Sequence, residues 1–585
     1  MAQQVDVSVQ IGGAAIQHFQ SLRIQQSLFD HHTFEIRVAF EDLEDKSQFF
    51  FKGAHAALVG QPATISFKPR YKLVPADFQF LGIVTELALS NNSETVNTYI
   101  IRGHSPTIMM EDGRQRRAWV ESGLSNIFGT VAGDYGGSAL SFNIAPAYTA
   151  LIDYKAQYDE SNWAFVNRLA AEYGEWCYYD GQTLNIAKPS PAEQEFVIDG
   201  VQHFDMAISL KPNKYLMHHY NYQKHKSFDA PHSPAGGYGT FGDFAYAKSS
   251  ALFGNPAQLW PLKDVGSPGE LDGHRGTVNA VNGTDMVRFQ GSGENPNLTV
   301  GMTVNVTGQK LIEPGKYKQE SVGKYRIIGI SHYVDEVGNY ENQFEAVPAS
   351  ASLPPHNPHV KQPVALPEIA TVLKNQDPLQ LGRVKLQFHW PNQLAGKSSW
   401  VRVAMAYTGG ARGSLFIPEI NDQVLISYEA NHVDFPVVSG SLYHKDPTTN
   451  YWSDNNYNKI IRTKGGNKIV MKDKPNEQEF FITNANNKST GLHISFKGDG
   501  TIQIYTKGLV AVTAKNITMD AEVDITMHAK NDITITGENN VKISATKTNV
   551  EINAKAEAKT TSKNVTINGT AKIDATAPHI DLNES

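Results

Sequence analysis

The stretch from Gly491 to Ser585 leaves the chain few choices of fold. Apolar residues recur there in pairs one residue apart: Ile494/Phe496, Ile502/Ile504, Val510/Val512, Ile517/Met519, Ile525/Met527, Ile533/Ile535, Val541/Ile543, Val550/Ile552, Ala556/Ala558, Val565/Ile567, Ile573/Ala575 and Ile580/Leu582. The pairs starting at Ile517, Ile525, Ile533 and Val541 follow one another at steps of eight residues, and elsewhere the step slips by a residue or two. A spacing of two is the strand period, so both members of a pair point to one face. Between pairs lie Asn, Asp, Gly, Lys and Ala, which suit tight corners. A short fixed repeat means a solenoid. Three short strands make a triangle with the apolar pairs inside and Thr, Lys and Glu outside. One chain could wind this alone at about 24 residues per coil, with only about four coils and open edges at both ends. Three chains could instead intertwine, each giving one strand per face in turn. Twelve strands at about 4.8 Å then make a needle of about 55–60 Å. The intertwined homotrimer is the expectation, with a core of Ile517, Met519, Ile525, Met527, Ile533, Ile535, Val541, Ile543, Val565 and Ile567. An ordinary β-sandwich would show irregular spacing and long loops instead.

The rest of the chain is bounded by its composition. Its 585 residues fit about four domains. A net charge of −7 gives no footing for nucleic acid. No apolar run approaches the roughly 18 residues of a membrane span. The N-terminus, MAQQVDVSVQIGG, lacks the charged and apolar regions of a secretory signal. The single cysteine, Cys177, excludes an intrachain disulfide and fits a cytoplasmic origin. Work outside the cell would then need a dedicated export route.

Taken in order, residues 1 to about 110 alternate apolar and polar residues, as in HTFEIRVAF with Phe34, Ile36, Val38 and Phe40 on one face. Residues 118–133 carry helical spacing at Trp119, Leu124, Ile127 and Val131. A second helix is expected over NWAFVNRLAAEYG, capped by Ser161 and stopped at Gly174, followed by a hairpin with Asp180-Gly181 at its turn. Residues 190–365 are strand-rich again, with Gly-, Ser-, Pro- and His-rich loops over 226–257, and 348–368 is a Pro-rich linker. Residues 370–444 read as a five-strand module: ATVLKN, GRVKLQFHW, SSWVRVAMA, SLFIP, and DQVLISYEA with FPVVSGSLY closing. Short strands without a helix suit an oligonucleotide/oligosaccharide-binding (OB) barrel.

Two runs carry a resemblance. Gln157-Tyr158-x-Glu160-Ser161-x-Trp163-x-Phe165-x-x-Arg168-Leu169, with Gly174 and Tyr178-Tyr179-Asp180-Gly181, resembles the hub domain of phage baseplates and type VI secretion spikes. Trp163 and Phe165 are read as core packing there. Asp377-Pro378, Leu381-Gly382-Arg383-Val384-Lys385, Phe388-His389-Trp390, Trp400-Val401-Arg402-Val403, Phe416-Ile417-Pro418-Glu419 and Pro436 to Tyr443 closely resemble the VgrG family, as does Ile461 to Ile469. The resemblance spans nearly the whole chain. It implies a mainly β fold: a phage-hub-like domain over 1–365, with two β-barrels around a helical block at 150–187, an OB domain over 366–445, a neck over 446–490 and a β-helix needle over 491–585.

The resemblance also implies a function. The homotrimer would sit at the tip of a type VI secretion apparatus, dock on the hexameric Hcp-like tube, pierce a target membrane on transient contact and deliver effector cargo. A PAAR-type protein would cap Pro578, His579, Ile580, Asp581 and Leu582. The protein would be cytoplasmic until firing and then leave the cell. The alternative is a tail spike or hub of a phage or an extracellular contractile injection particle. Phage relatives can carry a muramidase before the needle, and the 45 residues of the neck are too few for one. With Ser585 five residues past Ile580, no fused C-terminal effector is expected. No enzyme activity and no cofactor are expected: G-x-S-x-G, G-x4-G-K-[ST] and H-E-x-x-H are all missing from the sequence. The pairs His31-His32 and His218-His219 would point to opposite strand faces and make poor chelates. Three copies of His579 at a needle tip could hold a metal, a weak candidate because the phage pattern is His-x-His and here it is His579-Ile-Asp581.

Overall fold

Alternating burial builds the N-terminal sheet. In the computed structural model, the strand Thr33–Ala39 buries Phe34, Ile36 and Val38 while the residues between them stay half-buried. The structure describes residues 4–44, 53–70, 78–91, 97–189, 192–198, 203–261, 263–391, 396–445 and 451–581. The chain divides into two units, Met1–Asn450 and Tyr451–Ser585. It is mainly β, with 41% strand against 14% helix, so sheets rather than helices carry the architecture.

In the first unit, one 13-stranded sheet joins the two strand-rich blocks. The link is the 20-residue strand Lys316–Asp335. Its C-terminal part, Gly329–Asp335, pairs with Ser21–Ser27 of the first block. Its N-terminal part pairs with Thr303–Glu313, and its other edge pairs with Tyr340–Pro348. The first group runs on through Thr33–Ala39, Thr98–His104, Phe78–Ser90, Pro62–Pro69 and Val5–Ile11. It returns to its start through the Gln4–Asn339 bridge, which closes it like a barrel. Leu22, Ile24, Phe34, Ile36, Ile65, Phe67 and Phe80 fill its interior. The second group has its own core, built on Phe196, Phe289, Val304, Val306, Ile327, Ile330 and Phe344.

The helical block sits against the first core. Ser161 caps the helix Asn162–Tyr173 by accepting from Ala164 N at 3.1 Å, and Gly174 ends it in the left-handed region at φ 71°. Trp163 and Phe165 are buried in the core. The hairpin Cys177–Tyr179/Thr183–Ala187 forms around Asp180-Gly181. Residues 118–133 differ from the expected single helix. Gln115–Ser122 is a strand paired with Ile152–Glu160, and the helix is confined to Leu124–Gly133. Trp119 therefore lies on the strand and stacks on Phe165 at 5.2 Å, a packing partner that helical spacing does not reveal.

Two further helices stand where none was expected, one in the loop stretch and one in the strand-rich stretch. Gly239–Leu252 lies inside the stretch read as loops, and Pro268–Thr284 follows it. The second has a sound start: Ser267 Oγ accepts from Glu270 N at 3.2 Å, with Pro268 in its first turn. Gly269, Gly273, Gly276 and Gly283 dilute its helical signal. In the OB module, the sheet order is Lys385–Phe388, Glu368–Lys374, Gln423–Tyr428, Pro436–Leu442 and Arg402–Val403. SLFIP is not a strand. Its place is taken by the small hairpin Thr408–Gly409/Arg412–Gly413, and Leu415 and Phe416 are exposed.

In the second unit, five antiparallel strands form a meander: Asn458–Arg462, Asn467–Lys472, Glu479–Asn484, Asn487–Ser495 and Thr501–Tyr505. The first two apolar pairs of the repeat fall inside it, with Ile494 opposite Ile502 and Leu492 opposite Ile504.

Candidate functional site

Beyond the meander the chain changes character. From Lys507 to Asp581 every residue is exposed and none lies in a helix or strand. The conformation is nevertheless regular. The first member of each pair is 52–55% exposed at Val510, Ile517, Ile525, Ile533, Val541, Val550 and Val565, and the second member is more exposed in each case. A single-chain coil would pair residues one coil apart in a parallel ladder. Among the described residues no such pairing exists here. Gly508 N donates to Thr506 Oγ1, and the backbone of Asn564 meets the Ser562 hydroxyl, but among the described residues no strand ladder covers the backbone of this segment or its apolar faces. Ordering a residue costs about 1–2 kcal/mol of backbone entropy, which exposed apolar surface does nothing to offset. Contiguous apolar surface of this kind is rarely left bare on a soluble protein.

The ten core residues expected from the repeat all lie on this segment, and all are exposed in the single chain. At its far end Pro578, His579, Ile580 and Asp581 are also exposed, with His579 Nε2 3.8 Å from Asp581 Oδ2. Leu582 lies outside the described residues. The other histidine pairs have partners of their own: His31 Nδ1 lies 2.8 Å from Thr107 Oγ1, and His218 Nδ1 lies 2.6 Å from Asp229 Oδ1.

Residues of the hub and OB motifs lie in buried polar networks. Arg168, fully buried, donates to both oxygens of Glu160 at 2.7 and 2.8 Å and to Ala156 O at 2.8 Å. Gln157 accepts from Arg117 at 3.0 Å and donates to Asn162 Oδ1 at 3.0 Å. Beside them Lys155 Nζ donates to Glu172 at 2.7 Å and to Asp434 at 2.6 Å, tying the hub to the OB module. Burial alone would push the Asp434 carboxyl up, but Lys155, His432 and Arg168 outweigh it and hold it below its ordinary range. Lys263 stands beside Tyr173 at 4.5 Å and donates to Glu172 O at 3.0 Å, and burial lowers its pKa to about 8. In the OB module Asp377 and Arg383 form a buried two-point pair at 2.8 and 2.9 Å, with Leu379 N and Leu381 N also on Asp377. Glu368 accepts from Trp390 at 2.8 Å and from the Tyr428 hydroxyl. Sequence motifs pointed to Gln157, Glu160, Arg168, Asp377, Arg383 and Trp390. Lys155, Glu172 and Asp434 lie outside those motifs, and the ion pair that joins the two modules was not readable, because Lys155 and Asp434 are 279 residues apart.

Two family models match this arrangement. The phage tail baseplate hub (GPD) model matches residues 30–337, and the type VI secretion system/phage-baseplate injector OB-domain model matches 368–443. Fold and matches together define a baseplate hub protein of the contractile-injector class. The chain belongs to the VgrG family of spike proteins within that class. It is 22% identical to the type VI secretion spike protein VgrG4b of Pseudomonas aeruginosa over 73% of this chain and 56% of that protein. It is likewise 22% identical to VgrG5 of the same organism, over 73% of this chain and 58% of that one. The chain thus spans rather more than half the length of these curated relatives. Among solved structures, a Francisella PdpA–VgrG complex aligns with a TM-score of 0.53 and 8% identity, covering 86% of this chain and 80% of that one. Its lidless form aligns at 0.54 and 9% identity, over 86% and 99%.

Proposed function

We propose that this chain is the trimeric spike of a type VI secretion apparatus. The observation that carries the reading is the segment 507–581, a regular repeat with an apolar seam and no strand partner in its own chain. Three chains supply what one cannot: each strand of the prism pairs with strands of the other two, and the seams close on one another. The hub part of the trimer docks on the Hcp-like tube. Its two strand groups on one continuous sheet, taken three times, offer a pseudo-six-fold ring to a hexameric tube. The work is mechanical. Sheath contraction drives the needle through a target membrane, a PAAR-type protein sits on Pro578 to Leu582, and effector cargo travels with the spike. The protein turns over no substrate, holds no cofactor, waits in the cytoplasm and leaves the cell on firing.

The test is secretion. In a producing strain, the full chain is expected in the medium in company with the tube protein, and a chain stopped after Tyr505 is expected to stay inside and to block release of the tube protein. Normal release with the shortened chain would overturn the proposal. Hydrolysis of peptidoglycan or lipid by the purified full chain would contradict the mechanical reading.

A further inference from the structure

The polar face of the needle segment is divided by charge. Between Asp520 and Glu538 there are five acids, Asp520, Glu522, Asp524, Asp532 and Glu538, against Lys530, a net of −4 per chain. Between Val541 and Asn564 there are five lysines, Lys542, Lys547, Lys555, Lys559 and Lys563, against Glu551 and Glu557, a net of +3. Three copies make belts of −12 and +9. Lys542 stands between Val541 and Ile543 and so points away from the seam. All five lysines are exposed. Among the described residues the ion pairs of this segment are Lys572–Asp574 and His579–Asp581, and none involves the five lysines.

We infer that this basic belt binds the anionic headgroups of a lipid bilayer, an inference that rests on the trimeric spike reading. The acidic belt covers two strands and the basic belt covers three, those of Val541/Ile543, Val550/Ile552 and Ala556/Ala558, roughly 15 Å of needle. That exceeds the screening length of about 8–10 Å at physiological salt, so a surface beside the basic belt feels it more than the acidic one. The lysines are spread over successive strands and line no pocket, which suits a flat array of charges rather than one small anion. From Lys507 to Asp581 the sequence holds no Phe, Tyr or Trp. The segment therefore has no aromatic anchor for the hydrocarbon boundary and no stacking platform for nucleic acid bases. Attraction is electrostatic and reversible by salt.

The test uses the full chain and vesicles of phosphatidylcholine with or without about 30% phosphatidylglycerol, by co-sedimentation at low and high salt, with mass measured on the same samples. The anionic vesicles are expected to retain at least about tenfold more protein at low salt and to lose it at high salt. Changing all five lysines to Gln is expected to abolish the preference, while Asp520→Asn with Asp524→Asn keeps it. A trimer that binds both vesicles equally, or a five-Gln trimer that binds as well as the parent, overturns the inference and leaves the spike reading standing. Release by inorganic phosphate at constant ionic strength would show a small-anion site and would overturn it too. A monomer in the same samples would instead remove the reading beneath it.

Discussion

Ile535 and Thr534 are neighbours in the best-kept part of the repeat, both exposed in the single chain. In a closed prism they part company, because adjacent strand residues point to opposite faces. Ile535→Asp removes an apolar side chain that is 64% exposed in one chain and would lose most of that exposure in the seam, worth about 1–2 kcal/mol. It also buries a carboxylate without a partner, at several kcal/mol per ion after relaxation. With three copies in one core the total passes about 10 kcal/mol, comparable with the whole margin of a typical domain. Thr534→Asp places the same charge in water, where surface changes stay within about 0.5 kcal/mol. The assay is light scattering on the two purified variants, joined by resistance of the trimer to dilution to nanomolar concentration. Loss of the trimer for Ile535→Asp and its retention for Thr534→Asp are expected. Equal damage from both, or from neither, would refute the register.

Three further outcomes concern the first unit. Lys155→Met strands Asp434 and Glu172 in a buried site, and a loss of about 3–5 kcal/mol is expected in denaturant unfolding, partly regained by adding Asp434→Leu. His32 and His332 are buried, and burial lowers both to about 3, so the unfolded chain takes up protons near pH 6.5 that the folded chain refuses. Stability should therefore fall as pH drops from about 6.5 towards 3, by up to about 1.4 kcal/mol per unit for each histidine, and His332→Leu should flatten the fall in melting temperature; an unchanged slope would count against this. Gly301 has φ 91°, and a Cβ there would lie 2.4 Å from Tyr178 Cε2, so Gly301→Ala should cost more than about 1 kcal/mol in thermal unfolding.

The parts that were legible in the sequence are those governed by local period. The strand Thr33–Ala39, the Ser161-capped helix and the eight-residue repeat each advertise their geometry within a few residues. Two kinds of feature were hidden. Glycine-rich helices such as Pro268–Thr284 owe their form to tertiary packing of Leu271 and His274 rather than to propensity. Long-range pairing was the other. That Lys316–Asp335 serves two strand groups, or that Lys155 reaches Asp434, depends on partners far along the chain. The seam lies between these cases: its apolar pairs were plain, and which chain covers them is a matter of assembly.

That assembly is tested most directly by the mass in solution of the full chain beside a chain ending at Tyr505, which keeps the meander and removes the repeat. Three copies are expected for the full chain, unchanged at nanomolar concentration, with loss of the stable trimer for the shortened one. A full chain that runs as a monomer, or a shortened chain that remains an equally stable trimer, would contradict it.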